Sequence, residues 1–212
     1  VVGRAAASPW QIMQRIDHPD PAEANKLALA DLENGATGLA LTFAGANGAA
    51  GFGLDPSPDA IRRVLDGVYL DAGIALEFQI GPQSREAPLH LLALLEEKGI
   101  PANACEIRFG FDPIGAAGVW GSSPCSWCEI APALPGAVGA VAAKGFTAHA
   151  AVADGRVVHD AGGSEAQELA FVLAVAVAYL RALEASGMPL GAARDMIYVR
   201  LAADADQFLT MS

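Results

Sequence analysis

Positive charge is scarce in this chain: 13 Lys and Arg stand against 24 Asp and Glu, a formal net charge of −11, and no basic cluster forms anywhere. Phosphate neutralisation needs clustered cations, so nucleic-acid binding is excluded as an expectation. Aromatics are sparse at 7%, which argues against a core built on large rings. Cysteines number three, too few and too odd a count for a disulfide framework. The longest apolar run, residues 169–180, is twelve residues long. A bilayer span needs roughly 20, so no membrane partner is expected. There is no basic-then-apolar leader pattern, and a reducing cytoplasm is the expected location.

What remains is rich in small apolar residues: the hydrophobic fraction is 53%, the charged fraction only 17%, and glycine contributes 23 residues. That composition excludes disorder and suits close helix-on-sheet packing. Glycine-punctuated apolar runs alternate with polar-capped helical segments. Asp20-Pro21-Ala22-Glu23 opens a first helix, with Asp20 accepting from the amide three residues on and Glu23 reaching back. Asn34-Gly35 ends it, and residues 37–43 read as a buried parallel strand. Ser57-Pro58 caps the next helix, residues 73–80 form a second strand, and 88–98 a helix stopped by Gly99. Residues 104–111 are a third strand, followed by a loop to about 129. A weak helix at 132–144 and a fourth strand at 146–153 come next. The capping box Ser164-Glu165-Ala166-Gln167 starts the strongest helix, through Ala185, before a fifth strand at 197–201 and a helix beginning at 204–206.

Five strand-then-helix units imply right-handed crossovers and a parallel sheet. Five would complete an open doubly wound sheet but leave an eight-unit barrel unfinished. A chain that stops within a new helix reads as part of a larger whole, and no linker divides it. One domain over 1–212 is expected.

Chemistry is harder to read. Gly45, Gly48 and Gly51 stand three apart, which is neither the dinucleotide fingerprint nor a Walker loop, so this stretch reads as a flexible connection. Cys125 and Cys128 form a Cys-x-x-Cys pair inside a loop, without the two further ligands a zinc site requires. They are read as loop cysteines without function, and no metal site is expected. His149 in the fourth strand and His159 beside Asp160 lie near strand C-termini, where a barrel would place chemistry. His159 is the one catalytic candidate retained.

Two stretches resemble the adenosylcobalamin-dependent methylmalonyl-CoA mutase family. Pro9-Trp10-Gln11-Ile12-Met13-Gln14 through Asp17, then Glu23, Asn25 and Asn34-Gly35-Ala36-Thr37-Gly38-Leu39, is similar to the family's Pro-Trp-x-Ile-x-Gln opening and first barrel unit. His159-Asp160-Ala161-Gly162-Gly163-Ser164 through Glu168-Leu169-Ala170 resembles its Glu-Ala-Gly-Ala-(Thr/Ser)-x-x-x-Glu-Leu-Ala segment. The resemblance implies a TIM-type (β/α)8 barrel, here a partial barrel of about five βα units. It also implies that coenzyme A esters thread the barrel, while adenosylcobalamin sits on a separate domain through an Asp-x-His-x-x-Gly loop. That loop is not found in these 212 residues.

The departures point to one branch of the family. A substrate-contacting tyrosine of the catalytic chain is replaced by Arg15, a third-strand glutamine near the acyl group by Arg108, and a histidine near the migrating group by Val157. His159 falls where the catalytic chain has glutamine. The chain therefore resembles the non-catalytic small subunit of a heterodimeric mutase, whose partner is the catalytic large subunit. Two alternatives remain: a competent mutase for another acyl-CoA using His159, or a stand-alone nucleotide- or CoA-binding α/β module. Unpaired strand edges would also favour self-association of the chain.

Overall fold

Short polar signals set the helices. Asp20 accepts from Ala22 N at 2.8 Å ahead of helix α1, Pro21–Glu33. Ser57 accepts from Ala60 N before α2, Pro58–Val64. Helix α3, Ala87–Lys98, ends where Gly99 takes a left-handed φ of +67°. The computed structural model describes residues 10–49, 51–121, 123, 126–203 and 205. In it these helices alternate with parallel strands: β1 (Met13–Ile16), β2 (Gly38–Thr42), β3 (Ala75–Gln79) and β4 (Glu106–Arg108). Helices α4 (Pro113–Trp120), α5 (Trp127–Ile130) and α6 (Ala133–Ala142) follow, then β5 (Ala151–Asp154) and α7 (Arg156–His159). The described chain closes with α8 (Glu165–Ala185), α9 (Leu190–Asp195) and β6 (Ile197–Arg200).

The strands lie side by side in chain order. β1 to β4 form one parallel sheet, β5 and β6 a parallel pair. The two are joined by the bridge between Phe111 and Ala151 and by the bond from Phe109 N to His149 O. No reversal of order occurs among the described strands. Facing residues of parallel strands share a side of the sheet, so the register sorts the side chains into two faces. Leu39, Leu41, Leu76, Phe78 and Ile107 join a single hydrophobic cluster with buried residues of α1, α2, α3, α6 and α8. The opposite face carries the row Arg15, Ala40, Glu77 and Arg108. An α/β fold with a parallel sheet is therefore present, one face apolar and helix-covered, the other charged.

Several expectations need correction. There are six strands among the described residues, not five: β1 escaped notice because only Ile16 of its four residues is buried, leaving no apolar pattern. The expected loop up to 129 contains α4 and α5. Asp112 accepts from Gly115 N at 2.9 Å and Pro113 takes the first turn, an Asp-Pro opening like that of α1, where Asp20 accepts from the amide two residues on, not the expected three. Glu23 does not reach back to its cap; it pairs with Lys26 at 2.6 Å. His149 precedes β5 instead of lying in a strand, and it is the one described non-glycine residue with a left-handed φ, +60°. Apart from Ala205, the helix expected from 204 lies outside the described residues.

The box at Ser164 forms as read, with Gln167 Oε1 accepting from Ser164 N at 2.9 Å. The helix it opens runs 21 residues and is long and apolar enough by composition to cross a membrane. Here Val172, Val175, Tyr179 and Leu183 pack it into the core.

Candidate functional site

The charged face gathers its polar groups where the strands end. Glu77 and Gln79 come from β3, Asp154 from the end of β5, Arg156 from the turn after it, and Arg200 from the end of β6. Glu77, Gln79, Asp154 and Arg200 are polar residues at alternate positions of otherwise apolar strands, which aims them away from the helix-side core, and Arg156 opens α7 just beyond β5. Asp154 is the hub. Arg156 grips it with Nε–Oδ1 at 3.0 Å and Nη2–Oδ2 at 2.6 Å, and Arg200 Nη1 donates to Oδ2 at 2.6 Å. Arg200 Nη2 also donates to Glu77. Arg156 Nη1 reaches Gln79 Oε1 at 3.4 Å, which accepts from Thr42 as well, at 3.2 Å. The side chains are nearly closed off from water: Asp154 is 5% exposed, Glu77 14% and Arg200 15%.

Burial opposes the charge on both guanidiniums. Arg200 is pushed down to about 10, still far above neutrality, so it stays charged. At Arg156 burial is outweighed by the hydrogen bond and charge of Asp154, and the net direction is up. Asp112, beside this network, is pushed up to about 7, chiefly by burial, against the lowering bonds from Tyr179 and Gly115 and with the Asp154 charge adding to the rise. The Tyr179 hydroxyl donates to Asp112 and accepts from Ile114 N at 2.9 Å, and burial with the Asp112 charge pushes its pKa up, so it stays protonated.

The hollow bounded by Asn47, Gln79, Asp112, Asp154, Arg156 and Arg200 measures about 30 Å³, the room of one water molecule. Asn47 Nδ2 and Tyr198 Oη are buried without a hydrogen-bond partner.

The residues singled out in the sequence fall around this centre. Arg15 shares a register row with Glu77 and Arg108, but it pairs with Asp17 at 2.9 Å and donates to Gly48 O. Arg108 Nη2 donates to Gln11 and Glu106, both at 2.8 Å. Val157 borders the hollow from α7 and packs against Gly118 of α4. His159 does not line the hollow; its Nδ1 lies 3.9 Å from the buried Glu168 carboxylate, whose other oxygen accepts from Ala202 N. His149 sits at the opposite end of the strand, edge-on to Tyr198, and burial lowers its pKa. Cys128 is exposed on α5, and Cys125 lies outside the described residues. Among the described residues no trio of His, Cys, Asp or Glu is placed to hold a metal ion.

Sequence reasoning missed the residues at the centre: Glu77, Gln79, Asp112, Asp154, Arg156 and Arg200. A signal existed, since Glu77 in Ala-Leu-Glu-Phe-Gln and Arg200 in Ile-Tyr-Val-Arg are charges set within apolar strands.

Parallel strands in chain order, with buried charges converging at their C-terminal ends, define an α/β protein of the kind that builds its sites at that end of the sheet. The family model described as methylmalonyl-CoA mutase matches residues 4–211. The chain belongs to the methylmalonyl-CoA mutase family. It is 35% identical over 204 residues to the methylmalonyl-CoA mutase small subunit of Streptomyces virginiae, covering 96% of this chain and 31% of that protein. The small subunit of Propionibacterium freudenreichii subsp. shermanii is 29% identical over 206 residues, 96% of this chain and 30% of its own length. A probable small subunit of Mycobacterium tuberculosis is 32% identical over 215 residues, 99% and 32% respectively. The chain thus spans about a third of the length of the curated relatives it matches.

Proposed function

We propose that this chain is the N-terminal barrel portion of a non-catalytic mutase small subunit, which supports a catalytic large subunit that interconverts methylmalonyl-CoA and succinyl-CoA. One observation carries the reading. Where a substrate pocket needs unspent donors, Glu77, Asp154, Arg156 and Arg200 neutralise one another. Relatives named as small subunits favour the same assignment.

Strands in unbroken chain order, with one helix-covered face, support a partial (β/α)8 barrel whose charged face is its interior. In the family adenosylcobalamin supplies the radical. No described histidine lines the hollow or the cleft beside it, and no step is assigned through that group. The placement of His159 away from the hollow weighs against a competent mutase that uses it. A cytoplasmic setting fits the cysteine usage.

Co-purification with a catalytic large subunit tests the proposal. A stable complex is expected, with turnover that survives His159→Ala in this chain. A chain that ignores the large subunit, or turnover lost with His159→Ala, overturns it.

A further inference from the structure

Next to the charged hollow, and sharing Ile80, Gly81, Pro82, Asp112, Ala116 and Trp120 with it, a cleft of about 580 Å³ opens between the β3–α3 turn, α4 and α6. Its walls are apolar, with Ile80, Phe111, Trp120 and Leu134 among them. Phe111 and Leu134 belong to the helix-side core, and the ion-paired residues Asp154, Arg156 and Arg200 line the neighbouring hollow but not this cleft. Helix α4, Pro-Ile-Gly-Ala-Ala-Gly-Val-Trp, contains no polar side chain, yet Val119 is 41% and Trp120 55% exposed. A helix apolar on every side is ordinarily buried. Exposed among the described residues and beside a cleft of drug-sized volume, it is a surface suited to an apolar ligand.

Charge narrows the choice of occupant. Among the described residues of the lining two are ionisable, Asp112 and Arg85. Asp112 is buried and already bonded to Tyr179 and Gly115. Arg85 is exposed, and among the described residues no carboxylate stands within ion-pair distance of it. A chain of net charge −11 repels anions in general, so Arg85, without an ion-pair partner among the described residues, beside an apolar wall favours an anion with an apolar body.

We propose that this cleft binds an amphipathic carboxylate, its apolar tail against Phe111, Trp120 and Leu134 and its carboxylate toward Arg85. The volume suits a medium-chain acid of about eight to twelve carbons. The inference does not depend on the mutase assignment.

Trp120 makes the site observable. Decanoate is titrated into the chain while tryptophan emission and Tm are followed, with decanol as the uncharged control. Saturable binding with a raised Tm is expected, as linkage requires, and Trp120→Phe should remove the emission change. Arg85→Gln should weaken decanoate about three- to fivefold, the scale of a partly exposed ion pair, and leave decanol unaffected. Ala133→Trp, a substitution at an exposed lining position, should fill the cleft and abolish both. Equal affinity for decanoate and decanol, indifference to Ala133→Trp, or no saturable binding overturns the proposal. So does quenching of Trp120 by an added catalytic subunit but by no carboxylate, which would make the cleft a protein interface.

Discussion

Asp154 and Arg200 are register partners on neighbouring parallel strands, and the guanidinium closes on the carboxylate at 2.6 Å. The same carboxylate holds Arg156, so one buried acid balances two cations, with Glu77 completing the charge count. Removing Asp154 leaves both guanidiniums short of a partner in a nearly dry site. Asp154→Ala is therefore expected to lower unfolding free energy by about 3–5 kcal/mol. Urea denaturation checks it. A loss of less than about 1 kcal/mol would mean that water already serves these groups.

Asp112 gives the stability a pH dependence of unusual sign for a carboxyl. Its folded-state pKa is raised to about 7, so the folded chain holds a proton that the unfolded chain releases at an ordinary carboxylate value. The associated stability is fully present below that ordinary value and is lost as pH rises through about 7. Asp112→Asn keeps a side-chain oxygen for the Gly115 cap but cannot ionise. Its Tm should exceed that of the unaltered chain increasingly as pH passes from 5 to 8, and the gap should close toward pH 4. A gap independent of pH would contradict the burial of a neutral acid.

Gly110 lies between β4 and α4, against the backbone of β3. Its φ is +73°, and a Cβ there would meet Phe78 O at 2.0 Å. Gly110→Ala combines left-handed strain with a backbone clash, so a loss of about 2 kcal/mol or more is expected in thermal or urea unfolding. Gly136→Ala, which meets no atom within 4 Å, should cost nothing and serves as the control.

The fold was legible where its signals are local. Caps at Asp20, Ser57 and Ser164 and the stop at Gly99 each act within a few residues, and each helix begins or ends where they stand. Helix α4 was hidden by its glycines, although Asp112-Pro113 repeats the Asp20-Pro21 signal. β1 was hidden because Gln14 and Arg15 carry no burial pattern. The site was least legible for a different reason. Glu77 and Arg200 are 123 residues apart, and Asp154 and Arg200 are 46 apart; periodicity carries no information about such meetings. Resemblance to the family located Arg15, Arg108 and Val157 around the charged face, but not the acids and cations that fill it.

Whether those charges serve the scaffold or await a ligand is decided by a double-mutant cycle on Glu77 and Arg200. Groups kept for a ligand strain the fold, and their removal raises stability. Groups kept for each other do the reverse. Glu77→Ala, Arg200→Ala and the double variant, compared by urea unfolding, should each destabilise the chain, with a coupling of about 1–3 kcal/mol between the sites. A coupling near zero, or an Arg200→Ala chain more stable than the original, would contradict a self-satisfied interior.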